Sequence, residues 1–174
     1  MYLNYLSHYL PELRIPNSYF KDINGLDDEW IYSRTGIRER SRAGENENTN
    51  TMAAFAVQNL LSQNSKALED VDLIVGASYT PYDTIGTLAH YIQKEFRISG
   101  AKAVYISSAC SSFVNSVEIV EGYFSSAKAK KALIVVSDHN TAFSDDSDEK
   151  SGHLWGDGAA AVIKKKKKNG GCNF

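Results

Sequence analysis

Three short apolar runs, Val71 to Ala77 (VDLIVGA), Ala101 to Ser107 and Ala132 to Ser137, recur along the chain, separated by stretches whose apolar residues fall at helical spacing. A strand that reads apolar at nearly every position has no polar side to turn to water. Such strands alternating with helices argue for an α/β fold: a mixed, mostly parallel sheet with helices on both faces. Helices are expected over Thr87 to Phe96, after the turn residues Thr80, Pro81 and Asp83, and over Ser111 to Ser126. Right-handed crossovers are then the default. A further strand is expected at Ala159 to Ile163, entered through a Gly156-Asp157-Gly158 turn in which glycine supplies a positive φ.

The first seventy residues extend the pattern. Met1 to Tyr9 reads as a strand closed by Pro11. Asp27, Asp28 and Glu29 precede Trp30-Ile31-Tyr32 and place acids in the first turn of a short helix, where the dipole favours them; that helix is expected to end near Gly36. The polar stretch AGENENTN, from Ala43 to Asn50, is a surface loop, and Asn50 or Thr51 can cap the helix that follows. In that helix Met52, Phe55, Ala56, Leu60 and Leu61 form the expected core face. With no internal repeat and no linker, residues 1–174 are expected to form one domain. At 174 residues folding buries roughly 70% of the unfolded chain's surface, enough for a core without staples.

Composition excludes several function classes. Lys and Arg number 19 against 21 Asp and Glu, a formal charge of -2, so there is no basic face for nucleic acid. No apolar run approaches the roughly 18 to 20 residues of a membrane span, and the opening MYLNYLSHYLPELRIP has no basic region followed by a long apolar stretch. A cytoplasmic location is expected. The two cysteines, Cys110 and Cys172, are not expected to pair in a reducing compartment. No zinc-type Cys/His pairs occur, and the acidic cluster Asp138, Asp145, Asp146, Asp148 and Glu149 lacks calcium-loop order, so it reads as a solvated loop. The run Lys164 to Lys168 could attract an acidic carrier protein; its plainer reading is a solvated run that blunts a strand edge. A Rossmann-like nucleotide binder would need a glycine-rich phosphate loop, and Gly156-Asp157-Gly158 lacks the G-x-G-x-x-G pattern.

The chemistry concentrates in Ala103 to Val120 (AVYISSACSSFVNSVEIV). A strand delivers the chain into Ser107-Ser108-Ala109-Cys110-Ser111-Ser112, after which Phe113, Val114, Val117, Val120, Tyr123 and Phe124 recur at roughly three and four residues. Cys110 is thus expected at the N-terminal end of a buried helix, where free N–H groups and the dipole favour a nucleophilic thiolate, with small neighbours leaving room for a substrate. The competing reading is an inert core thiol, since free cysteine is among the most buried residue types.

A second segment, Glu29-Trp30-Ile31-Tyr32-Ser33-Arg34-Thr35-Gly36-Ile37-Arg38-Glu39-Arg40, carries the string E-W-I-x-x-R-T-G-I-x-x-R. Together with Ala109-Cys110-Ser111-Ser112-Phe113 and Trp155-Gly156-Asp157-Gly158-Ala159-Ala160, it closely resembles β-ketoacyl-acyl-carrier-protein synthase III of the thiolase superfamily. Chalcone-synthase-like and hydroxymethylglutaryl-CoA-synthase-like relatives share fold and cysteine but are not expected to carry this string. The resemblance implies a thiolase-like half-fold and a Claisen condensation in fatty acid biosynthesis. An acyl group passes from coenzyme A to Cys110, whose N–H joins the oxyanion hole, and decarboxylating malonyl-acyl-carrier-protein attacks the thioester. It implies that Trp30 stacks on the adenine of coenzyme A, that Arg34 contacts the same nucleotide and that Thr35 adds a polar contact. It implies no metal or resident cofactor, coenzyme A thioester being substrate, and a homodimer. The plainer readings are Trp30 as a hydrophobic anchor of its helix, and Arg34 and Arg38 in surface ion pairs with Glu29 or Glu39.

Members of that family are about twice as long, and their second half supplies a catalytic His and Asn. Neither His8, His90, His139 nor His153 falls at that position, and each reads as a strand-end, helix or loop residue. Leu26 stands where many members carry a hydroxyl near the coenzyme, and Thr80 to Gly86 (TPYDTIG) corresponds to a loop that reaches the partner subunit. Two hypotheses follow. One is the N-terminal half of a condensing enzyme, competent for acyl transfer to Cys110 and incomplete for condensation without the missing C-terminal half. The other is a non-catalytic half-fold with an interaction role, an exposed apolar patch and an unreactive Cys110.

Overall fold

The computed structural model describes residues 2–166. Chain order is β1 (Tyr2–Tyr9), β2 (Leu13–Pro16), α1 (Ser18–Asn24), α2 (Asp28–Thr35), β3 (Glu39–Arg42), α3 (Thr49–Gln63), β4 (Leu73–Ala77), α4 (Leu88–Glu95), β5 (Lys102–Ile106), α5 (Ser112–Ser125), β6 (Lys131–His139) and β7 (Asp157–Lys165). Five strands form one sheet in the order β1-β7-β6-β4-β5, and β2 pairs with β3 in a separate two-stranded ribbon. The three apolar runs of the sequence are β4, β5 and β6, parallel to one another; β7 runs antiparallel to both β6 and β1. The sheet is therefore mixed.

Helices cover both faces. Against one face pack α3 and α4, around Met52, Val57, Leu60, Ile74, Ile92, Leu133 and Ile163. Against the other packs α5, through Val120 and Phe124 onto Leu73, Val75, Ile134 and Val162. Gly76 in β4 makes the first packing possible: a Cβ there would lie 2.6 Å from the Ala89 backbone nitrogen of α4. A third, smaller cluster of Ile15, Phe20 and Ile31 holds α1 and α2, with Leu26 and Trp30 against it. Leu26 is used in packing.

Local chemistry explains the boundaries. Asp27 caps α2 by accepting the Trp30 N–H at 2.9 Å, and Gly36 closes it in the left-handed region at φ 72. The cap of α3 is Asn48, not the expected Asn50 or Thr51. Its side chain accepts from the Asn50 and Thr51 N–H groups while Thr51 Oγ1 accepts from the Asn48 N–H, a reciprocal capping box. Gly156-Asp157-Gly158 is not a positive-φ turn either: Asp157 and Gly158 are the first residues of β7, paired with His139 and Asp138. These glycines are there for space. A Cβ at Gly158 would meet Leu10 Cδ2 at 2.8 Å, and one at Gly156 the Arg40 Cβ at 3.1 Å.

Three further expectations change. Because β7 lies between β1 and β6, Lys164 and Lys165 sit in an inner strand and blunt no edge; Lys167, Lys168 and Cys172 lie outside the described residues. The buried face of α5 is narrower than its apolar spacing suggested, with Phe113 and Val114 exposed at 40% and 57%. The acidic cluster is not uniformly solvated: Asp146 pairs with Arg42 at 2.8 Å and accepts from Tyr19 Oη, while Asp138 accepts from Ser78 Oγ, Thr80 Oγ1 and the Tyr79 N–H. Among the described residues no helix is long and apolar enough to cross a membrane.

Candidate active site

Cys110 follows β5 at the carboxyl end of the parallel strands, in a single 3-10 turn, Ala109–Ser111, that runs directly into α5. Its side chain is exposed, which removes the inert core thiol. The turn is sharp. Ala109 sits at φ 48, a left-handed conformation that costs a residue with a Cβ roughly 1–2 kcal/mol. The serines of SSACSS pin that geometry. Ser112 Oγ accepts the Ser108 N–H at 3.0 Å and donates to the Ala109 carbonyl at 2.7 Å, while Ser111 Oγ and the Ser111 N–H both donate to the Ser108 carbonyl. A strained elbow held by side-chain hydrogen bonds presents the sulfur to solvent at the head of a helix.

The neighbouring strand ends are tied together by polar side chains. Tyr79, two residues past β4, donates its hydroxyl to Asn140 Oδ1 beyond β6, and Asn140 Nδ2 donates to the Gly156 carbonyl before β7 at 2.9 Å. Tyr105 Oη of β5 donates to the Ser78 carbonyl at 2.7 Å. Burial, then Asp138, then Cys110 push the Tyr79 phenol above its usual pKa, against the hydrogen bond with Asn140. Tyr79 therefore stays a protonated donor beside the cysteine. Asp157, buried, is a second hub: it accepts from the Ala43 N–H at 2.8 Å, the Thr141 N–H at 2.9 Å and Thr141 Oγ1 at 2.6 Å, joining the start of β7 to the segments after β3 and β6.

The second group of expected residues lies on α2. Trp30 is half-buried, partly an anchor on the Ile15, Phe20 and Ile31 cluster and partly open. Arg34 lies over its ring, the guanidinium carbon 4.3 Å from the centroid, and Arg38 lies over Tyr32 at the same distance. Neither arginine makes the expected pair with Glu29 or Glu39 among the described residues; Glu39 meets Arg14 at 3.6 Å instead. Thr35 Oγ1 donates to the Ile31 carbonyl at 2.7 Å and accepts the Ile37 N–H at 3.0 Å, finishing the helix.

No hydrogen bond, ion pair or aromatic contact joins Cys110 to Trp30, Arg34 or Thr35 among the described residues. The segment from His153 to Gly156 spans the two groups: the His153 ring touches Trp30, and the Gly156 carbonyl takes Asn140, the partner of Tyr79. Two residues here escaped the sequence reading. Arg40 is buried and donates to the Ile15 carbonyl, Asn17 Oδ1 and the His153 carbonyl at 2.9, 2.8 and 2.7 Å. His153 is itself buried rather than a solvent-facing loop residue. The available hint was Arg40's place as the last residue of the E-W-I-x-x-R-T-G-I-x-x-R string. Among the described residues no group of three His, Cys, Asp or Glu could hold a metal.

Known proteins share the sequence pattern and the fold. The family model described as 3-oxoacyl-[acyl-carrier-protein (ACP)] synthase III matches residues 105–174. The chain is 35% identical over 151 residues to beta-ketoacyl-[acyl-carrier-protein] synthase III 2 of Staphylococcus epidermidis, covering 87% of this chain and 46% of that protein. It is 36% identical over 154 residues to the synthase III of Deinococcus deserti, covering 88% and 44%. The crystal structure of the Aquifex aeolicus 3-oxoacyl-[acyl-carrier-protein] synthase III superposes with a TM-score of 0.89 at 32% identity, over 96% of this chain and 54% of that one. The chain thus spans about half the length of the curated relatives it matches. By sequence and by fold, then, this chain is similar to 3-oxoacyl-[acyl-carrier-protein] synthase III proteins over about half of their length.

Proposed function

We propose that the chain carries the acyl-accepting part of a condensing enzyme of fatty acid biosynthesis. The Cys110 thiolate attacks the thioester carbonyl of an acyl-CoA, the new carbon–sulfur bond forms on Cys110, and the bond to coenzyme A breaks, coenzyme A leaving as its thiolate, which takes a proton from water. The Cys110 N–H donates to the developing oxyanion. Malonyl-acyl-carrier-protein then loses carbon dioxide, its carbanion attacks the acyl-cysteine carbonyl, a carbon–carbon bond forms and the Cys110 thiolate leaves. Trp30 offers a face for the adenine, Arg34 a cation for the nucleotide phosphates and Thr35 a hydroxyl at the helix end. The observation that carries this reading is the exposed Cys110 on a strained turn directly before α5.

The chain acts in the cytoplasm as a homodimer in this reading. Among the described residues β5 pairs only with β4, leaving an open edge that a second copy can extend. Light scattering after size exclusion tests it; a monomer at every concentration counts against the dimer. A second reading, an interaction half-fold without chemistry, draws on the exposed Phe113 and Val114 beside the cysteine.

Intact mass after incubation with acetyl-CoA and longer acyl-CoAs separates the two. An acyl adduct on the wild-type chain that is absent from Cys110→Ala supports the acyl-accepting reading. No adduct with any donor, while iodoacetamide still alkylates Cys110, sinks it.

A further inference from the structure

His153 is a buried titratable side chain that acyl transfer leaves unused. It lies in the 3-10 turn Gly152–Leu154, 3% exposed, and its ring meets that of Trp30 edge to face, centroids 5.5 Å apart at 84°. Its Nδ1 is buried and has no hydrogen-bond partner among the described residues, an arrangement that native structures rarely keep without a reason. The backbone around it is held on two sides. Arg40 takes the His153 carbonyl at 2.7 Å, and at Gly152 a Cβ would come within 2.4 Å of the Asp145 carbonyl oxygen, so the chain reaches this depth only as glycine. Asp146, next to that contact, is itself fixed by Arg42, Tyr19 and Asn24.

The Trp30 ring therefore has two partners, the Arg34 guanidinium over its face and the His153 ring at right angles. Arg34 is exposed and, among the described residues, bonds only to its own helix, at Trp30 O and Ser33 Oγ, so it turns with Trp30 and cannot hold it. His153 approaches from a separate segment, anchored from β3, and can.

We propose that His153 is a positioning residue, whose uncharged ring fixes the orientation of Trp30 and so tunes the affinity for the nucleotide end of an acyl-CoA without touching the chemistry at Cys110. The inference rests on the reading of Trp30 as the adenine platform. The charged groups facing the imidazole are Arg40 from β3 and Asp148 from its own loop; burial and Arg40 push its pKa below the usual value, against the pull of Asp148. The ring is thereby kept neutral.

The test uses the full chain carrying Trp155→Phe, so that Trp30 is the remaining tryptophan. Its fluorescence is recorded in His153, His153→Ala and His153→Phe versions, alongside acylation of Cys110 by acetyl-CoA and by acetyl-N-acetylcysteamine, a thioester without the nucleotide. His153→Ala is expected to shift the Trp30 emission and raise the half-saturating acetyl-CoA concentration about three- to tenfold, the worth of an edge-to-face pair. The maximal rate and the reaction with acetyl-N-acetylcysteamine stay unchanged, and His153→Phe retains the wild-type values. An unchanged emission and affinity in His153→Ala overturns the proposal, as does a parallel loss with both thioesters. If neither thioester acylates the parent chain, the coenzyme reading falls instead; the emission then decides, and a His153→Ala spectrum equal to the parent's overturns the positioning role.

Discussion

Arg40 and His153, 113 residues apart in sequence, are joined by a 2.7 Å hydrogen bond from the Arg40 guanidinium to the His153 carbonyl. The same guanidinium holds the Ile15 carbonyl and Asn17 Oδ1 and lies over the Phe20 ring at 4.7 Å. One buried cation, without a carboxylate in contact among the described residues, therefore clasps the β2–β3 ribbon, α1 and the segment before β7. Burial, then Arg42, lowers its pKa, but a guanidinium remains charged at any pH a protein tolerates.

Arg40→Met keeps the stem and removes the donors. Three acceptors lose their partner at once, and the chain is expected to lose about 3 kcal/mol of stability, more than a surface arginine could. Urea unfolding of the variant checks this; a change within about 0.5 kcal/mol would show that water replaces the guanidinium without cost.

Asp157→Asn exchanges one carboxylate oxygen for an amide that donates. Of the three hydrogen bonds the Asp157 carboxylate accepts among the described residues, those from the Ala43 N–H and Thr141 Oγ1 reach Oδ2 and that from the Thr141 N–H reaches Oδ1, so either amide orientation sets a donor against a donor. A loss of about 2 kcal/mol is expected, read as a lower denaturant midpoint at unchanged slope.

Ala109→Gly relieves the left-handed strain at φ 48 but frees the unfolded chain, so stability is expected to change by less than about 1 kcal/mol. Acylation of Cys110 is expected to slow, because the elbow that aims the sulfur loses its restraint. Single-turnover mass spectrometry beside a melting curve measures both, and equal rates would show that the serine hydrogen bonds alone hold the turn.

His153 gives the protein an acid-sensitive margin. Its folded pKa lies below the ordinary 6.5. As pH falls through about 6.5 the unfolded chain takes up a proton that the folded imidazole still refuses, so stability declines down to the folded pKa and is flat above 6.5. Replacing it by Phe is expected to flatten this slope. The difference in Tm between pH 7 and pH 5, wild type against His153→Phe, measures it; parallel slopes would assign the acid sensitivity to carboxylates.

The central sheet was legible because VDLIVGA and ALIVVS have no polar side to expose, and that pattern has few other solutions. The β2–β3 ribbon was not: LRIP and ERSR are short and lack a run of strand-type apolar residues, and pairing Ile15 with Arg40 makes sense only once the guanidinium finds its acceptors. The serines around Cys110 looked like small neighbours that leave room, whereas they lace the turn. His153 escaped for the same reason as Arg40, since a polar residue in a Gly-rich and charged stretch signals solvent unless its distant partners are known. Gly156 and Gly158 signalled a turn, whereas neither takes a positive φ and both lie in close contact with neighbouring segments.

The placement of β1 beside β7 sets the order of assembly. Tyr2 to Tyr9 are synthesised long before their hydrogen-bonding partners, Ala159 to Lys165. Until then β1 has no ladder to join, and Leu3 and Leu6, more than half exposed even in the finished sheet, are sticky surface on a nascent chain. The β4–β5 pairing joins residues much closer in sequence and can close earlier, so the nucleus is expected there and β1 docks afterwards. Errors in synthesis that stop short of β7 would release a chain with an unpaired β1, a substrate suited to chaperones and proteases.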